Sequence, residues 1–346
     1  MARAVPSVLD AIGSTPLVRI QRLNPNRDVR IYAKLEFLNP SGSIKDRIVK
    51  HIVEDAEARG VLKPGATIIE NTSGNTGAAV AMIAAIKGYK AILTMPDKVS
   101  KEKQRALRAL GAEIVVCPTA AAPGHPDHYV QRAHDLAAAI PGSFRIDQYD
   151  NPKNAQAHYL STGPEIWAQT GGNIDYFVAS GSTGGTVSGV GRFLKEKQPK
   201  IKVLMPDPVG SIYYTYFHTR QIVAEEIGTY NVEGVGEDHI AKCLDFSVLD
   251  DVVRFTDVDA FVTARRLALE EGIFAGGSSG ANLWAALDLA KRLTTPAVIV
   301  TIFPDTGLKY LSKMYDDAWM TDKGFLAPRS DAAHGIDTAA SMPAIA

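Results

Sequence analysis

Short apolar segments rich in β-branched residues alternate along the chain with longer segments whose apolar positions recur at helical spacing. In the first half, this pattern predicts strands over residues 66–70, 90–95 and 112–116 and helices over residues 78–86 and 100–110. Ser100 is placed to cap the second helix and Gly111 to end it. Such alternation predicts βαβ units and a parallel sheet with both faces covered.

The alternation begins again in the second half of the chain. It predicts strands over residues 174–179, 201–205 and 296–303 and helices over residues 187–195, 257–271 and 281–293. Residues 148–152 lie between the two halves and are interpreted as the passage between two domains. The predicted fold class is therefore α/β, with two doubly wound parallel-sheet domains.

Composition agrees with this division and narrows the possible functions. A chain of 346 residues that is 46% hydrophobic can bury two medium-sized cores. The formal net charge is −1, so we expect no nucleic-acid partner and no membrane surface. The cysteines, Cys117 and Cys243, lie in no paired motif, and the first nine residues contain no apolar signal region. These features predict a cytoplasmic protein.

Candidate chemistry is concentrated in four short segments. Lys45 ends the sequence Asn-Pro-Ser-Gly-Ser-Ile-Lys, and three polar segments follow at residues 72–77, 180–186 and 276–280. Each of the three precedes a helix, where free N–H groups and the helix dipole attract anions. Together the segments provide an amine for an aldehyde, a cradle for a phosphate and a hydroxyl for a ring nitrogen, which are the groups needed to hold pyridoxal phosphate.

Each segment also has a plainer interpretation. Residues 72–77 and 276–280 are compatible with ordinary helix capping by serine and threonine, and most lysines are solvated surface charges. Residues 180–186 contain no lysine and do not match the dinucleotide fingerprint, which disfavours a nucleotide-binding loop. His125 and His128 share one polar loop without a second pair of ligands, so no metal site is expected.

With the four segments in this order, residues 6–315 resemble the fold-type II pyridoxal-phosphate enzymes, and more narrowly the cystathionine β-synthase and O-acetylserine sulfhydrylase family. The resemblance implies that pyridoxal 5′-phosphate is bound on Lys45, with Asn75 at its 3′-oxygen and Ser278 at its pyridine nitrogen. The implied phosphate loop is Ser182, Thr183, Gly184, Gly185 and Thr186, with Ser182 where the family usually has glycine. The implied ligands of the substrate carboxylate are Thr72, Ser73, Gly74, Thr76 and Gln148.

Two further segments resemble the cystathionine β-synthase branch, namely residues 207–212 (Asp-Pro-Val-Gly-Ser-Ile) and 230–238. The implied activity is β-replacement on L-serine or an O-activated serine by a thiol, with homocysteine as the first candidate. A serine at the ring nitrogen cannot keep it protonated, and this favours loss of the β-substituent. Glu233, Glu237 and Asp238 are candidates for binding the amino group of homocysteine, and simple solvation of these acids is equally compatible.

The expected domain division is a larger domain of residues 1–45 and 150–326, a smaller domain of residues 46–149, and a disordered tail at 327–346. The cofactor is expected in the cleft between the domains, the partners are expected to be amino-acid substrates, and the resemblance implies a homodimer. Cysteine synthase chemistry, β-replacement by an amine nucleophile and a non-catalytic amino-acid-binding scaffold remain as alternatives. Lys45 argues against the scaffold, since a pure binder does not need that amine.

Overall fold

The structure is a computed structural model that describes residues 4–72, 74–122 and 124–327. Ser73, assigned above to the substrate carboxylate, and residues 328–346 of the expected tail lie outside the described residues. The strands are β1 Leu17–Ile20, β2 Val29–Leu35, β3 Thr67–Asn71, β4 Lys90–Pro96, β5 Glu113–Cys117, β6 Phe144–Arg145, β7 Tyr176–Val178, β8 Lys202–Pro208, β9 Asp251–Phe255 and β10 Ala297–Phe303.

The α-helices pack against the strands of both sheets. They are α1 Lys45–Ala58, α2 Asn75–Lys87, α3 Lys101–Ala109, α4 Tyr129–Ala139, α5 Lys153–Leu160, α6 Thr162–Thr170, α7 Gly185–Lys197, α8 Tyr213–Thr219, α9 Asp257–Glu271, α10 Gly277–Arg292 and α11 Asp317–Asp322. Short 3-10 helices lie at Val8–Ala11, Glu36–Leu38, Ala224–Glu226, Phe246–Val248 and Gly307–Tyr310. No helix within the described ranges is long and apolar enough to cross a membrane.

Two sheets organise the molecule. One has six strands in the order β1-β2-β10-β7-β8-β9, and the other has four in the order β5-β4-β3-β6. All pairings are parallel except that of β1 with β2. The predicted α/β fold class with parallel sheets is therefore confirmed, and β1 is an antiparallel edge strand that the sequence pattern did not predict.

The strands of the four-stranded sheet all lie between residues 67 and 145, whereas the six-stranded sheet takes strands from both sides of that interval. We propose that the two sheets mark the smaller and the larger domain, with the boundaries expected above. Each sheet has its own apolar core. Ile48, Ile83 and Leu93 are fully buried in the smaller core, and Phe177 and Phe303 in the larger one.

Three predicted helices begin earlier in the structure than their apolar periodicity indicates. Helix α2 begins at Asn75, α7 at Gly185 and α10 at Gly277, because small or polar residues form the first turn of each helix. In α10 the reason is close packing, since a Cβ on Gly280 would lie 2.0 Å from the carbonyl oxygen of Ala260 in α9. The predicted binding segments are therefore largely first turns of helices rather than loops before them.

Helix α1 begins at Lys45 and is held by buried charges. The Arg47 guanidinium donates to Glu36 and to Glu165, at 2.7 Å in each case, and Lys34 also pairs with Glu165 at 2.7 Å. These bonds join α1 to the end of β2 and to α6. Because unpairing a buried charge costs about 3–5 kcal/mol, this cluster fixes the start of α1 firmly.

Candidate active site

The segments with candidate chemistry meet at one edge of the sheets. Strands β3 and β7 each end just before one of these segments, and β10 ends just before residues 304–305. Ligands of open parallel sheets bind at the carboxyl ends of the strands. The turn that carries Lys45 is attached to the segment after β10, because the Ile44 N–H donates to the Pro304 carbonyl at 2.8 Å and Ser43 forms a β-bridge with Asp305.

A pocket lies between the Lys45 turn and the start of α7. Its lining includes Lys45 together with Ser182, Thr183, Gly184 and Thr186. The remaining lining residues are Ile44, Ala179, Ser180, Gly234, Asn282, Ile302 and Pro304. The structure thus brings the predicted amine and most of the predicted phosphate loop around one cavity, although they are far apart in sequence.

Lys45 is partly accessible in this pocket. Its Nζ makes no hydrogen bond or ion pair within the part of the chain that the structure describes. Burial lowers the pKa of Lys45, and the negative charge of Asp305 opposes that shift. A larger fraction of the amine is therefore neutral, and nucleophilic, than for a lysine in water.

The predicted phosphate loop is shaped by glycines that cannot be replaced without a clash. Gly184 has φ +76°, and a Cβ there would lie 2.4 Å from the Cβ of Leu244. A Cβ on Gly185 would lie 2.0 Å from Oδ1 of Asn154, whose Nδ2 also donates to Oγ1 of Thr183 at 3.0 Å. Only glycine therefore allows the start of the 13-residue helix α7 to pack this closely beside the pocket, and the start of a helix is suited to bind an anion.

His158 supports the same loop from behind. Its Nδ1 lies 2.9 Å from Oγ1 of Thr162 and its Nε2 lies 3.2 Å from Oγ1 of Thr186. Complete burial lowers the pKa of His158 well below its usual value, so the ring is neutral at pH 7. Sequence reasoning missed His158, because it lies in α5, 28 residues before Thr186, and forms no local motif with it.

The hydroxyl of Ser182 is already engaged. It donates to Oε1 of Glu237 at 2.6 Å, and the hydroxyl of Tyr149 donates to the same oxygen at 2.8 Å. Burial raises the pKa of Glu237. Ser182 is therefore turned toward Glu237, and its predicted contact with a phosphate stays a prediction.

Asn75 has both ends of its amide engaged at the start of α2. Its Nδ2 donates to Oδ2 of Asp305 at 2.8 Å, and its Oδ1 accepts from Nζ of Lys309. The hydroxyl of Tyr310 donates to the same Asp305 oxygen at 2.7 Å. These three partners follow β10, and the sequence analysis did not single out any of them.

Ser278 lies in the first turn of α10 and is 5% exposed. The N-cap of this helix is Gly276, which provides no capping side chain, so Ser278 does not cap the helix. Among the described residues, the hydroxyls of Ser278 and of its neighbour Ser279 have no hydrogen-bond partner. Two buried hydroxyls at a helix start are thus available for a further acceptor.

The predicted carboxylate ligands are held mainly by each other. Oγ1 of Thr76 donates to Oε1 of Gln148 at 2.6 Å, and Oγ1 of Thr72 accepts from the N–H groups of Gly74 and Gly77 at 3.3 and 3.2 Å. The Gln148 segment is fixed by Glu70, which accepts from the N–H of Asp147 at 2.9 Å and whose pKa burial raises to about 7.

These residues fit pyridoxal phosphate. The glycine-lined helix start can accept the phosphate, the unpartnered Ser278 hydroxyl can meet the ring nitrogen, and the unpaired amine of Lys45 can bond to the aldehyde. A family model described as pyridoxal-phosphate dependent enzyme matches residues 8–305. The chain belongs to this family. It is a pyridoxal-phosphate-dependent enzyme, and pyridoxal 5′-phosphate is its cofactor.

Comparison with individual proteins narrows the family further. The chain is 47% identical to cystathionine beta-synthase of Apis mellifera over 94% of its own length and 64% of that protein's. It is 44% identical to a probable cysteine synthase of Bacillus subtilis, over 92% of this chain and 99% of the relative. It thus spans under two thirds of the first relative's length and nearly all of the second's. The recognition of the cystathionine β-synthase and cysteine synthase family from the four segments is confirmed.

Solved structures agree with the fold. An O-ureido-L-serine synthase superposes with a TM-score of 0.83 at 39% identity, covering 92% of this chain and 100% of the other. An O-acetylserine dependent cystathionine beta-synthase from Helicobacter pylori matches with a TM-score of 0.82 at 37% identity, covering 90% and 99%.

Proposed function

We propose that this chain catalyses β-replacement on L-serine or an O-activated serine, with a thiol as the incoming group. The observation that carries the proposal is the pocket in which the unpaired amine of Lys45 faces a glycine-lined helix start. The first turn of the neighbouring helix α10 carries the Ser278 hydroxyl and no carboxylate side chain of its own. The names of the relatives, which include cystathionine β-synthases and cysteine synthases, support the same reaction class.

The chain's residues would hold the cofactor at several points. Residues 182–186 would bind the phosphate, Asn75 the 3′-oxygen and Ser278 the ring nitrogen, while Lys45 would bond to the aldehyde carbon. When bound, the cofactor provides a sink for the negative charge that develops at Cα of the substrate. The cofactor would then contact residues associated with both sheets. Asn75 begins α2, which follows β3 of the smaller sheet, and the other contacts lie on the larger sheet's side.

Lys45 would act as the proton carrier. Once the substrate amine has displaced it from the cofactor, Nζ would accept the Cα proton. The β-substituent would leave Cβ with the electron pair of its C–O bond, the thiol sulfur would bond to Cβ and lose its proton, and Nζ would return a proton to Cα. The lowered pKa of Lys45 suits this role, since the amine must be unprotonated when it accepts the proton. Thr72, Ser73, Gly74, Thr76 and Gln148 would hold the substrate carboxylate and so direct the Cα–H bond toward Nζ.

For the second substrate we favour homocysteine, with its amino group near Glu237. Of the acids considered from sequence, Glu233 already forms ion pairs with Lys103 at 3.1 Å and Lys313 at 2.6 Å. Glu237 borders the pocket through its bond to Ser182 and has no lysine or arginine partner within the described ranges. Its carboxylate can therefore accept an incoming ammonium group.

Cysteine synthase chemistry is the second candidate. It is favoured by the Bacillus subtilis relative, which this chain covers almost end to end. The Helicobacter pylori structure is named an O-acetylserine dependent cystathionine beta-synthase. O-acetylserine should therefore be tested alongside serine as the first substrate. An amine nucleophile remains a third possibility for the incoming group.

One crossed assay separates these candidates. Purified protein with bound cofactor is incubated with serine or O-acetylserine, each with homocysteine or with sulfide, and the products are identified by mass spectrometry. We expect cystathionine as a main product. Rapid cysteine formation without cystathionine would make cysteine synthase the correct activity, and no product in any combination would contradict β-replacement by a thiol.

Glu237→Gln tests the homocysteine site. Removing the negative charge should raise the KM for homocysteine by about tenfold while changing use of sulfide much less, because sulfide carries no ammonium group. Glu225→Gln, at an exposed position of the Ala224–Glu226 helix, is the matched control. An equal rise in KM for homocysteine and for sulfide would show that Glu237 does not bind the amino group of homocysteine.

The expected setting of the enzyme is also a proposal. We propose a cytoplasmic homodimer that acts in transsulfuration or cysteine biosynthesis. Light scattering after size-exclusion chromatography measures the mass in solution, and a mass of one chain would contradict the dimer.

A further inference from the structure

Asp305 is a buried carboxylate at the centre of the site. It follows β10 and is 1% exposed. Its main chain forms a β-bridge with Ser43, two residues before Lys45, and its carbonyl accepts from the N–H of Gly276 at 2.9 Å. One residue thus contacts both the turn that carries the amine and the start of α10.

The two oxygens of this carboxylate have different surroundings. Oδ2 accepts from Nδ2 of Asn75 at 2.8 Å and from the hydroxyl of Tyr310 at 2.7 Å. Oδ1 is buried and has no hydrogen-bond partner among the residues that the structure describes. A Cβ on Gly276 would lie 2.0 Å from Oδ1, so only glycine at that position leaves room for the carboxylate. Oδ1 therefore lies at the start of the 16-residue helix α10, where the helix dipole favours negative charge.

Asp305 also determines which way the Asn75 amide points. A carboxylate can only accept from the amide, whereas Lys309, on the other side, can only donate to it. Nδ2 must therefore face Asp305 and Oδ1 must face Lys309. The second N–H of Nδ2 remains for another acceptor.

Opposing effects act on the protonation of Asp305. Burial is the largest effect and raises the pKa of Asp305, as does Glu233, whereas Lys309 and the Asn75 and Tyr310 donors counteract part of that rise. The charged and titratable groups facing this region from its neighbouring elements are Lys45 and Asp46 of α1, Lys103 of α3, Glu233 of the 228–239 segment, and Lys309 and Tyr310 after β10. Asp305 in turn raises the pKa of Lys45 against the effect of burial.

We propose that Asp305 is a positioning residue of this enzyme that fixes the Asn75 amide and provides the negative charge opposite Lys45 whenever Lys45 carries a proton. The inference rests on the proposed β-replacement. The Cα proton moves to Nζ of Lys45 and returns from it, and Asp305 takes no part in the proton transfer. No oxidant or further reactant is required.

Asp305→Asn in the full-length holoenzyme tests this role, because it keeps the shape and an acceptor for Asn75 but removes the charge. Without the nearby anion, the pKa of protonated Lys45 falls. The acidic limb of the kcat profile should therefore move to lower pH by about one unit. The bound cofactor's absorption bands should shift toward the form with an uncharged Lys45 linkage, a readout that needs no turnover. Tyr310→Phe removes one donor that stabilises the carboxylate, so the pKa of Asp305 rises and part of its charge is lost. Both quantities should therefore change in the same sense but less.

Asp28→Asn removes an equal charge at an exposed turn before β2 and should change neither quantity. If Asp305→Asn and Tyr310→Phe both lower thermal stability but leave the absorption bands and the pH limb as in the wild type, the role is merely structural and the proposal is overturned. If Asp305→Asn does not fold, Tyr310→Phe decides alone by the same two measurements. Failure of the proposed function can be told apart from failure of this inference. In the first case wild-type protein forms neither a thioether nor cysteine, while the absorption bands of wild type and Asp305→Asn still test the role of Asp305.

Discussion

The two sides of the pocket are built on different physical principles. On the larger sheet's side, the proposed phosphate loop is shaped by the backbone, with Gly184 and Gly185 packed against Leu244 and Asn154. On the smaller sheet's side, the proposed carboxylate site is shaped by side-chain hydrogen bonds, such as that of Thr76 to Gln148. We call the first the rigid side, because close packing fixes its backbone, and the second the exchangeable side, because a ligand could replace the side-chain partners there.

Lys45→Ala tests the group that faces both sides, and it should have the largest effect. Turnover should fall at least about a thousandfold, because the amine is the proposed attachment point and the proposed proton carrier. Cofactor should still bind non-covalently through the rigid phosphate side. Borohydride reduction followed by peptide mapping should label the Lys45 peptide in wild-type protein, and a label on another lysine would contradict the assignment.

Ser278→Asp changes the ring-nitrogen partner without touching either anion site. An aspartate would keep that nitrogen protonated and stabilise charge on the ring, which removes the drive to expel the β-substituent. We expect β-replacement to fall by about a hundredfold with the fold and cofactor retained, measured as kcat and as bound cofactor. Ser279→Asp is not a suitable control, because Ser279 is fully buried; Ser278→Ala isolates the loss of the hydroxyl. Unchanged turnover in Ser278→Asp would exclude a contact with the nitrogen.

Gly184→Ala changes the backbone of the rigid side. The added Cβ would contact Leu244, and the residue has positive φ. We therefore expect the free energy of unfolding to fall by about 1–3 kcal/mol and the cofactor's dissociation constant to rise tenfold or more. Gly88→Ala is the matched control, since Gly88 also has positive φ, +75°, but a Cβ there meets nothing within 4 Å. Similar cofactor affinity in both variants would show that the close approach is unimportant.

Thr76→Val addresses the exchangeable side and should have the smallest effect. Losing one hydrogen bond to a carboxylate should raise the KM for the amino acid by about tenfold, with cofactor affinity unchanged. Thr94→Val provides the control, because Thr94 is a buried threonine of the same sheet whose hydroxyl donates to the Tyr129 carbonyl. A parallel loss of cofactor in Thr76→Val would remove the distinction between the two sides.

The sequence allowed the strand–helix alternation and the family to be predicted, because both are encoded in local patterns. Helix α9 has the predicted bounds, and Ser100 caps α3 as expected. Local patterns failed where tertiary packing decides. Edge strand β1 depends on β2 for its pairing, and the start of α10 depends on contact with α9.

The candidate site divides in the same way. The glycine and hydroxyl segments stand out in the sequence, because close backbone approach and helix starts require particular residue types. His158 and Asp305 do not stand out, since each acts through a partner distant in sequence, Thr186 and Asn75 respectively. Such supporting residues become recognisable only when the chain is folded.

The adjacent residues Gln148 and Tyr149, next to the backbone that Glu70 binds, connect the two sides of the pocket. Gln148 contacts Thr76 on one side of the pocket, and the next residue, Tyr149, contacts Ser182 and Glu237 on the other. The contacts to the two sides of the pocket are therefore separated by a single peptide bond. If this link makes a bound amino acid change the affinity for the cofactor by some factor, the bound cofactor must change the affinity for the amino acid by the same factor. The two changes in affinity therefore measure one coupling free energy.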